Sequence, residues 1–237
     1  MKHKLDYQVN QAEVRRYLGY QSGQTEKSDR VDQLINRSIS AVGERAEPRG
    51  IVKTCFRNEL PGGVLALPGS DLLLSSRDLA ELLAGCSLVS LLVVTLGQQV
   101  DDYVSDLLST GQYAAAAVAD AIGSDAAEQA MVLLDGKLRQ AAVALGFGLT
   151  RRFSPGYGDV PLELQRDLLR LLEAKSIGVR LTESNLMVPQ KSVTALLGWR
   201  AGACADNDSD KCTACQKHDC RFRRRPGDCD QREKVNA

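Results

Sequence analysis

Residues 151–199 read RRFSPGYGDVPLELQRDLLRLLEAKSIGVRLTESNLMVPQKSVTALLGW, and the other parts of the chain are arranged around them. The stretch begins with a turn-rich loop in which a proline and two glycines surround Tyr157. Glycine adopts positive φ angles easily and lets a backbone come close to a ligand. Pro161 suits the first turn of a helix, and the leucines behind it repeat at helical spacing. After that helix we expect strands at 177–181 and 192–199.

The loop carries groups that suit a small zwitterionic or aromatic ligand. The guanidinium of Arg152 can clamp a carboxylate through two parallel hydrogen bonds. Tyr157 offers a ring for a cationic group and a hydroxyl for a polar one. The alternative is a loop that only connects, with Arg152 as a surface charge and Tyr157 packed over the backbone.

The run R-x-x-P-G-Y, then a helix, then L-T-E-S-x-x-M-x-P-x-x-S-V resembles the activation (reactivation) domain of vitamin B12-dependent methionine synthase. It is most similar in style to short stand-alone versions of that domain. The resemblance implies an α+β fold with a central twisted, mainly antiparallel sheet flanked by helices. It also implies a ligand in a shallow groove, bound without a nucleotide-binding glycine fingerprint, and the chain has no G-x-G-x-x-G after a strand.

The ligand that the resemblance implies is S-adenosylmethionine. Arg152 and Tyr157 match the family's binding motif residue for residue. Glu128, on the preceding helix, aligns with a family glutamate by pattern only, and a solvated helix residue is its alternative. We expect loop backbone to hydrogen-bond the adenine or the amino acid end of the ligand at Gly156, Gly158 and Asp159.

A second candidate segment runs from the corner Thr182-Glu183-Ser184 through Met187 to Lys191-Ser192. In the family this segment lies near the surface that meets the cobalamin-carrying partner, which makes Glu183 a candidate cofactor contact. Its alternative is a structural residue at the end of a strand. The family also uses an acidic residue near the start of its domain, and Asp6 is a candidate by position alone, so we assign it no role.

A cysteine-rich basic tail, residues 201–237, follows the main domain, residues 1–200. Its C-x2-C pair has the spacing of metal ligands, and a reducing compartment favours metal over disulfide. Zinc or an iron–sulfur cluster would fit the thiolates, and free thiols are the alternative. The basic run at 221–225 is typical of a solvated segment, so we expect no nucleic-acid partner. The candidate ligands are Cys204, Cys212, Cys215, Cys220 and Cys229.

Composition points to an ordinary soluble protein. Among 237 residues, 30 Lys and Arg balance 30 Asp and Glu, so charge gives no argument for nucleic acid or membrane. The N-terminal residues lack the apolar core of a signal peptide. The most apolar run, 88–96, has roughly half the length that a membrane-spanning helix needs. We therefore expect a cytoplasmic protein.

Hydrophobic periodicity predicts the other elements. Asn10 is the predicted N-cap of the first helix, and the run at 87–96 is a predicted strand buried on both faces. Further strands are predicted at 5–9, 51–56 and 64–67. Helices are predicted at 11–17, 29–46, 75–84, 98–109, 113–122 and 124–145.

The resemblance implies an activation subunit of a cobalamin-dependent methionine synthase. Such a protein is a methyltransferase component that supports reductive remethylation of cob(II)alamin. Cobalamin would arrive on the cobalamin-binding domain of a partner, because the chain lacks D-x-H-x-x-G. A flavodoxin-type or ferredoxin-type protein would supply the electron. The alternatives are an activator of another corrinoid methyltransferase, or a non-catalytic adaptor that binds S-adenosylmethionine or is stapled by a metal.

Overall fold

The computed structural model describes residues 2–20, 28–60, 64–66, 73–74 and 76–202. Its helices are α1 Gln11–Tyr17, α2 Asp29–Arg45, α3 Arg77–Leu82, α4 Gln98–Ser109, α5 Tyr113–Ala144 and α6 Leu164–Leu171. Its strands are β1 Lys2–Lys4, β2 Arg49–Phe56, β3 Asn58–Leu60, β4 Val64–Ala66, β5 Leu73–Leu74, β6 Cys86–Thr95, β7 Phe147–Leu149, β8 Arg180–Leu181, β9 Met187–Val188 and β10 Ser192–Ala201.

Five strands form the main sheet in the order β1-β2-β6-β10-β7, and every neighbouring pair is antiparallel. The predicted α+β class, with a mainly antiparallel sheet flanked by helices, is confirmed. The predicted strands at 51–56, 87–96 and 192–199 are confirmed as β2, β6 and β10.

Strand β6 lies in the middle of this sheet and is buried on both faces. Because side chains alternate along a strand, Leu92 and Val94 enter the core formed with α2, α4 and α5. Leu91 and Val93 enter the opposite core, which contains residues of α3 and α6. The apolar residues of this one strand therefore contribute to both layers of the protein.

Helix α5 is one continuous helix of 32 residues, so the predicted division into two helices near Gly123 is wrong. Glycine weakens a helix interior by about 1 kcal/mol, which is why the sequence favours a break there. Gly123 is buried against Lys191, and an added Cβ would lie 3.1 Å from Cγ and Cε of that lysine. Tertiary packing thus explains both the glycine and the unbroken helix.

The N-terminal strand also differs from the prediction at 5–9. Pairing occurs at Lys2–Lys4, which bonds to the edge of β2, and Leu5 turns into the core instead. The N-cap is confirmed, since the Asn10 side chain accepts from the N–H of Ala12 at 3.0 Å.

The predicted strand at 177–181 is wrong over most of its length. A 3₁₀ turn occupies Ala174–Ile177, and Gly178 follows with φ +85°. Only Arg180–Leu181 pairs, with β9. Ile177 and Val179 pack into the core beside α6, so their apolar character reflects burial without sheet pairing.

The metal prediction concerns cysteines that lie outside the described residues, as does nearly all of the tail domain. Within the described ranges no cluster of three or more His, Cys, Asp or Glu could hold a metal ion. Cys55 and Cys86 are free thiols there. No helix in the described part is long and apolar enough to cross a membrane.

Candidate functional site

The candidate loop is anchored at its start to the central sheet. The N–H of Thr150 donates to the carbonyl of Gly198 at 3.0 Å. Phe153 and Leu196 then exchange backbone hydrogen bonds of 2.9 and 2.8 Å. Residues 150–153 therefore run along β10 as a short extension of the sheet, which fixes the backbone on both sides of Arg152.

The far end of the loop is fixed to the N-terminus of α3 through Asp159. Its carboxylate accepts from the Ser76 hydroxyl, from the N–H of Arg77 at 2.7 Å and from the N–H of Asp78 at 3.3 Å. The hydrogen bond from Ser76, with those from the α3 backbone, holds the pKa of Asp159 below its usual value. The N–H of Asp159 donates in turn to Asp78 at 3.2 Å, so this predicted ligand donor is engaged within the protein.

The two glycines of the loop have distinct roles. Gly158 has φ +56°, and an added Cβ would lie 1.8 Å from the Asp78 carboxylate, so only glycine permits this approach to α3. Gly156 has φ +85°, and its N–H closes the turn by donating to Val160 at 3.0 Å. Between the glycines, Tyr157 is 69% exposed. The tip of the loop thus presents a tyrosine to solvent from a backbone fixed at both ends.

Arg152 lies at the base of the loop and is only 8% exposed. Its Nη1 is 3.8 Å from Oε2 of Glu128, and its Nε is 3.8 Å from Oδ2 of Asp135. Both separations are ion-pair distances, longer than a hydrogen bond. The structure therefore brings together two of the predicted ligand residues, Arg152 and Glu128, although they lie far apart in the sequence.

Asp135 is the residue that sequence reasoning missed. It lies on α5 seven residues after Glu128, and that spacing places both carboxylates on one face of the helix. Its Oδ2 also accepts from Nε of Arg139 at 3.1 Å, one turn further along. The spacing of Glu128, Asp135 and Arg139 indicates that they share one face of a helix. It points to a site only once Arg152 is known to face α5.

The N-terminal segment borders the same part of α5. The N–H of Asn10 donates to the buried Asp125 at 2.6 Å. Burial, with the negative charge of Glu128, raises the pKa of the Tyr17 hydroxyl. Asp6 is exposed on the segment that leads into α1.

Glu183 is exposed in the tight turn between β8 and β9. The N–H of Thr182 closes this turn by donating to Leu186 at 2.9 Å. Among the described residues, no hydrogen bond or ion pair joins Glu183 to Arg152 or Glu128. Its role in cofactor binding stays a prediction.

Lys191, from the same predicted segment, is buried and has a structural role. Its Nζ donates to Asp120 at 2.5 Å and to Ser124 at 3.1 Å, both on α5. This contact holds the start of β10 against the long helix.

The fold and loop define a class of protein: an antiparallel α+β domain that presents a buried arginine and an exposed tyrosine beside a long helix. Residues 87–204 match the family described as vitamin B12 dependent methionine synthase, activation domain. Over that segment, which includes α5 and the whole loop, the chain belongs to the methionine synthase activation domain family.

The fold agrees with a solved structure. The crystal structure of the MetH reactivation domain bound to AdoHcy is similar with a TM-score of 0.57 and 16% sequence identity. The likeness covers 83% of this chain and 79% of that chain, and at this identity it shows the fold alone. No curated protein matches the chain.

Proposed function

We propose that this chain is an activation subunit that binds S-adenosylmethionine and supports reductive remethylation of cob(II)alamin on a methionine synthase partner. Membership of the activation domain family supports the class of function. The observation that carries the ligand assignment is the position of Arg152, which is nearly buried between two carboxylates at the base of a fixed loop.

The charges of this site fit the amino acid end of S-adenosylmethionine. The ligand carboxylate would bind the guanidinium of Arg152, which can form paired hydrogen bonds. Glu128, with a side chain 44% exposed, would then face the ligand ammonium or the positive sulfur. Tyr157 would place its ring near the sulfonium.

This site works by orientation. S-adenosylmethionine supplies an electrophilic methyl group when bound, and a flavodoxin-type or ferredoxin-type donor supplies the electron that reduction requires. The residues of this chain hold the ligand and direct its methyl group toward the partner's cofactor, which converts an encounter into a positioned reaction. The exposed Tyr157 lies on the same loop as the ligand site, so the loop is the expected meeting surface with the cobalamin-binding domain.

Calorimetric titration with S-adenosylmethionine tests the ligand assignment. Arg152→Ala and Tyr157→Ala should each weaken saturable binding. Tyr113→Ala is the matched control for the tyrosine, because Tyr113 is 70% exposed and lies outside the loop. Arg37→Ala, at an exposed position of α2, is the control for the arginine. Equal binding by Arg152→Ala and wild type would refute the proposal that Arg152 binds the ligand carboxylate.

A reactivation assay tests the partner assignment. A methionine synthase loaded with cob(II)alamin should regain methionine synthesis when it is mixed with the wild-type protein, S-adenosylmethionine and a reduced flavodoxin. Reactivation of a methylamine or aromatic methyl ether corrinoid protein instead would assign the chain to another corrinoid system. Ligand binding without reactivation of any corrinoid protein would identify a non-catalytic adaptor.

A further inference from the structure

We propose that Asp135 is a positioning residue that fixes the guanidinium of Arg152 for the ligand carboxylate. The proposal rests on the proposed function, since it concerns the same ligand site. It adds a residue on α5 that acts through Arg152 and is not itself expected to touch the ligand.

The geometry assigns different partners to the two sides of the Arg152 guanidinium. Its Nε faces Asp135, whose side chain is 9% exposed, whereas its Nη1 faces the half-exposed Glu128. The inner side of the guanidinium therefore faces a buried carboxylate at ion-pair distance. The outer side faces a carboxylate that solvent reaches, and a ligand carboxylate can approach from there.

A second connection links Asp135 to the same loop through Arg139. Asp135 orients Arg139 through the 3.1 Å hydrogen bond to its Nε. The other nitrogens of Arg139 donate to the carbonyls of Leu149 at 3.0 Å and Thr150 at 2.8 Å. Those carbonyls lie shortly before Arg152 in the chain, so one carboxylate governs both the side chain and the approach of its backbone.

The burial of Asp135 argues that its charge is needed. Its Oδ1 is buried, and none of the described residues donates a hydrogen bond to it. A buried oxygen without a donor is unfavourable, and an apolar residue would avoid that cost. Two guanidinium groups, the buried one of Arg152 and the partly exposed one of Arg139, lie within ion-pair distance of Oδ2, so a carboxylate compensates both positive charges.

Titration with two ligands tests this role. Asp135→Asn should bind S-adenosylmethionine about tenfold more weakly, by analogy with the lower end of what residues that orient metal ligands contribute at metal sites. Decarboxylated S-adenosylmethionine lacks the group that Arg152 receives, so its affinity should be the same in both proteins. Asp32→Asn, which removes the partner of Arg15 between α1 and α2, is the matched control and should change neither affinity. An equal loss for both ligands would show general damage to the site, and unchanged or tighter binding of S-adenosylmethionine would also overturn the proposal.

Arginine labelling by phenylglyoxal, followed by mass spectrometry, tests the position of Arg152 without any ligand. Arg152 should react slowly in wild type and several-fold faster in Asp135→Asn, with the exposed Arg37 as the internal reference. Faster labelling in a protein that does not bind S-adenosylmethionine would keep the positioning role and reject the proposed ligand. Unchanged labelling would reject the positioning role itself.

Folding is checked by the thermal unfolding of each variant. If Asp135→Asn does not fold, Asp135→Glu provides the second test, because it keeps the charge and moves the carboxylate by one methylene. Its selective loss of affinity for the carboxylate-bearing ligand should be smaller than tenfold but measurable. A folded Asp135→Glu protein with wild-type affinity and wild-type labelling of Arg152 would contradict the proposal.

Discussion

Asp78 and Asp159 donate their backbone N–H groups to each other's carboxylates, at 3.3 and 3.2 Å. This reciprocal pair joins the candidate loop to the first turn of α3. Since the start of the loop is bonded to β10, Tyr157 is presented by a segment with two fixed ends.

Gly158→Ala should release the loop from α3. The left-handed backbone alone costs about 1–2 kcal/mol for a residue with a Cβ, and the clash with Asp78 adds to it. Chemical denaturation should therefore show a larger decrease in the free energy of unfolding for Gly158→Ala than for Gly111→Ala. Gly111 also has positive φ, but an added Cβ would meet nothing within 4 Å. Equal losses for the two variants would mean that the close approach to Asp78 is unimportant.

The attachment of the loop should weaken in acid. The folded pKa of Asp159 lies below its unfolded value, so its contribution to stability is present above the unfolded pKa. It is lost as the pH falls through the folded pKa. The difference in unfolding midpoint between wild type and Asp159→Asn should therefore shrink as pH is lowered below the usual range of aspartate. A difference that stays constant with pH would show that the charge of Asp159 does not contribute.

Ser90→Ala should destabilise the sheet by about 1–3 kcal/mol, because it leaves a buried donor without its acceptor. Nε1 of Trp199 donates to the Ser90 hydroxyl at 2.7 Å, and both residues are buried. Ser90 also bonds Thr54 at 2.6 Å, and Thr54 is exposed. Thr54→Val should therefore cost less than Ser90→Ala in chemical denaturation, and the reverse order would reject this account.

Lys191→Met should be milder than Lys191→Ala. Methionine keeps most of the side-chain length that covers Gly123, whereas alanine removes buried methylenes worth about 0.8 kcal/mol each. Asp120, left without its lysine, is about half exposed and stays solvated. The free energy of unfolding should differ by about 2 kcal/mol between the two variants. Equal free energies of unfolding would mean that the ion pair of Lys191, and not the burial of its methylenes, stabilises the protein.

The sequence predicted the parts of the fold that depend on local pattern. The Asn10 cap and the buried strand β6 are of this kind, because a cap or an apolar run is visible in neighbouring residues. Strand β1 could not be placed, since its pairing depends on the edge of β2. The sequence predicts two helices where α5 is one, because the contact between Gly123 and Lys191 joins residues that are distant in the sequence.

In the candidate site too, local patterns are visible in the sequence, whereas contacts between distant residues are not. A compact motif predicts Arg152 and Tyr157 as ligand residues, and a pattern match to a family glutamate predicts Glu128. Asp135 was missed because its importance comes from two arginines on different elements. The carboxylate of Asp159 was also missed, because its acceptor role depends on the start of α3, far away in the sequence.

Strand β6 contributes alternate side chains to both apolar layers, so neither layer can lose its packing while the other keeps it. Thermal melting should consequently be one cooperative event, and slow amide exchange should be shared by helices on opposite faces of the sheet. A substitution on one side of this strand would then lower the resistance to exchange on the other side as well.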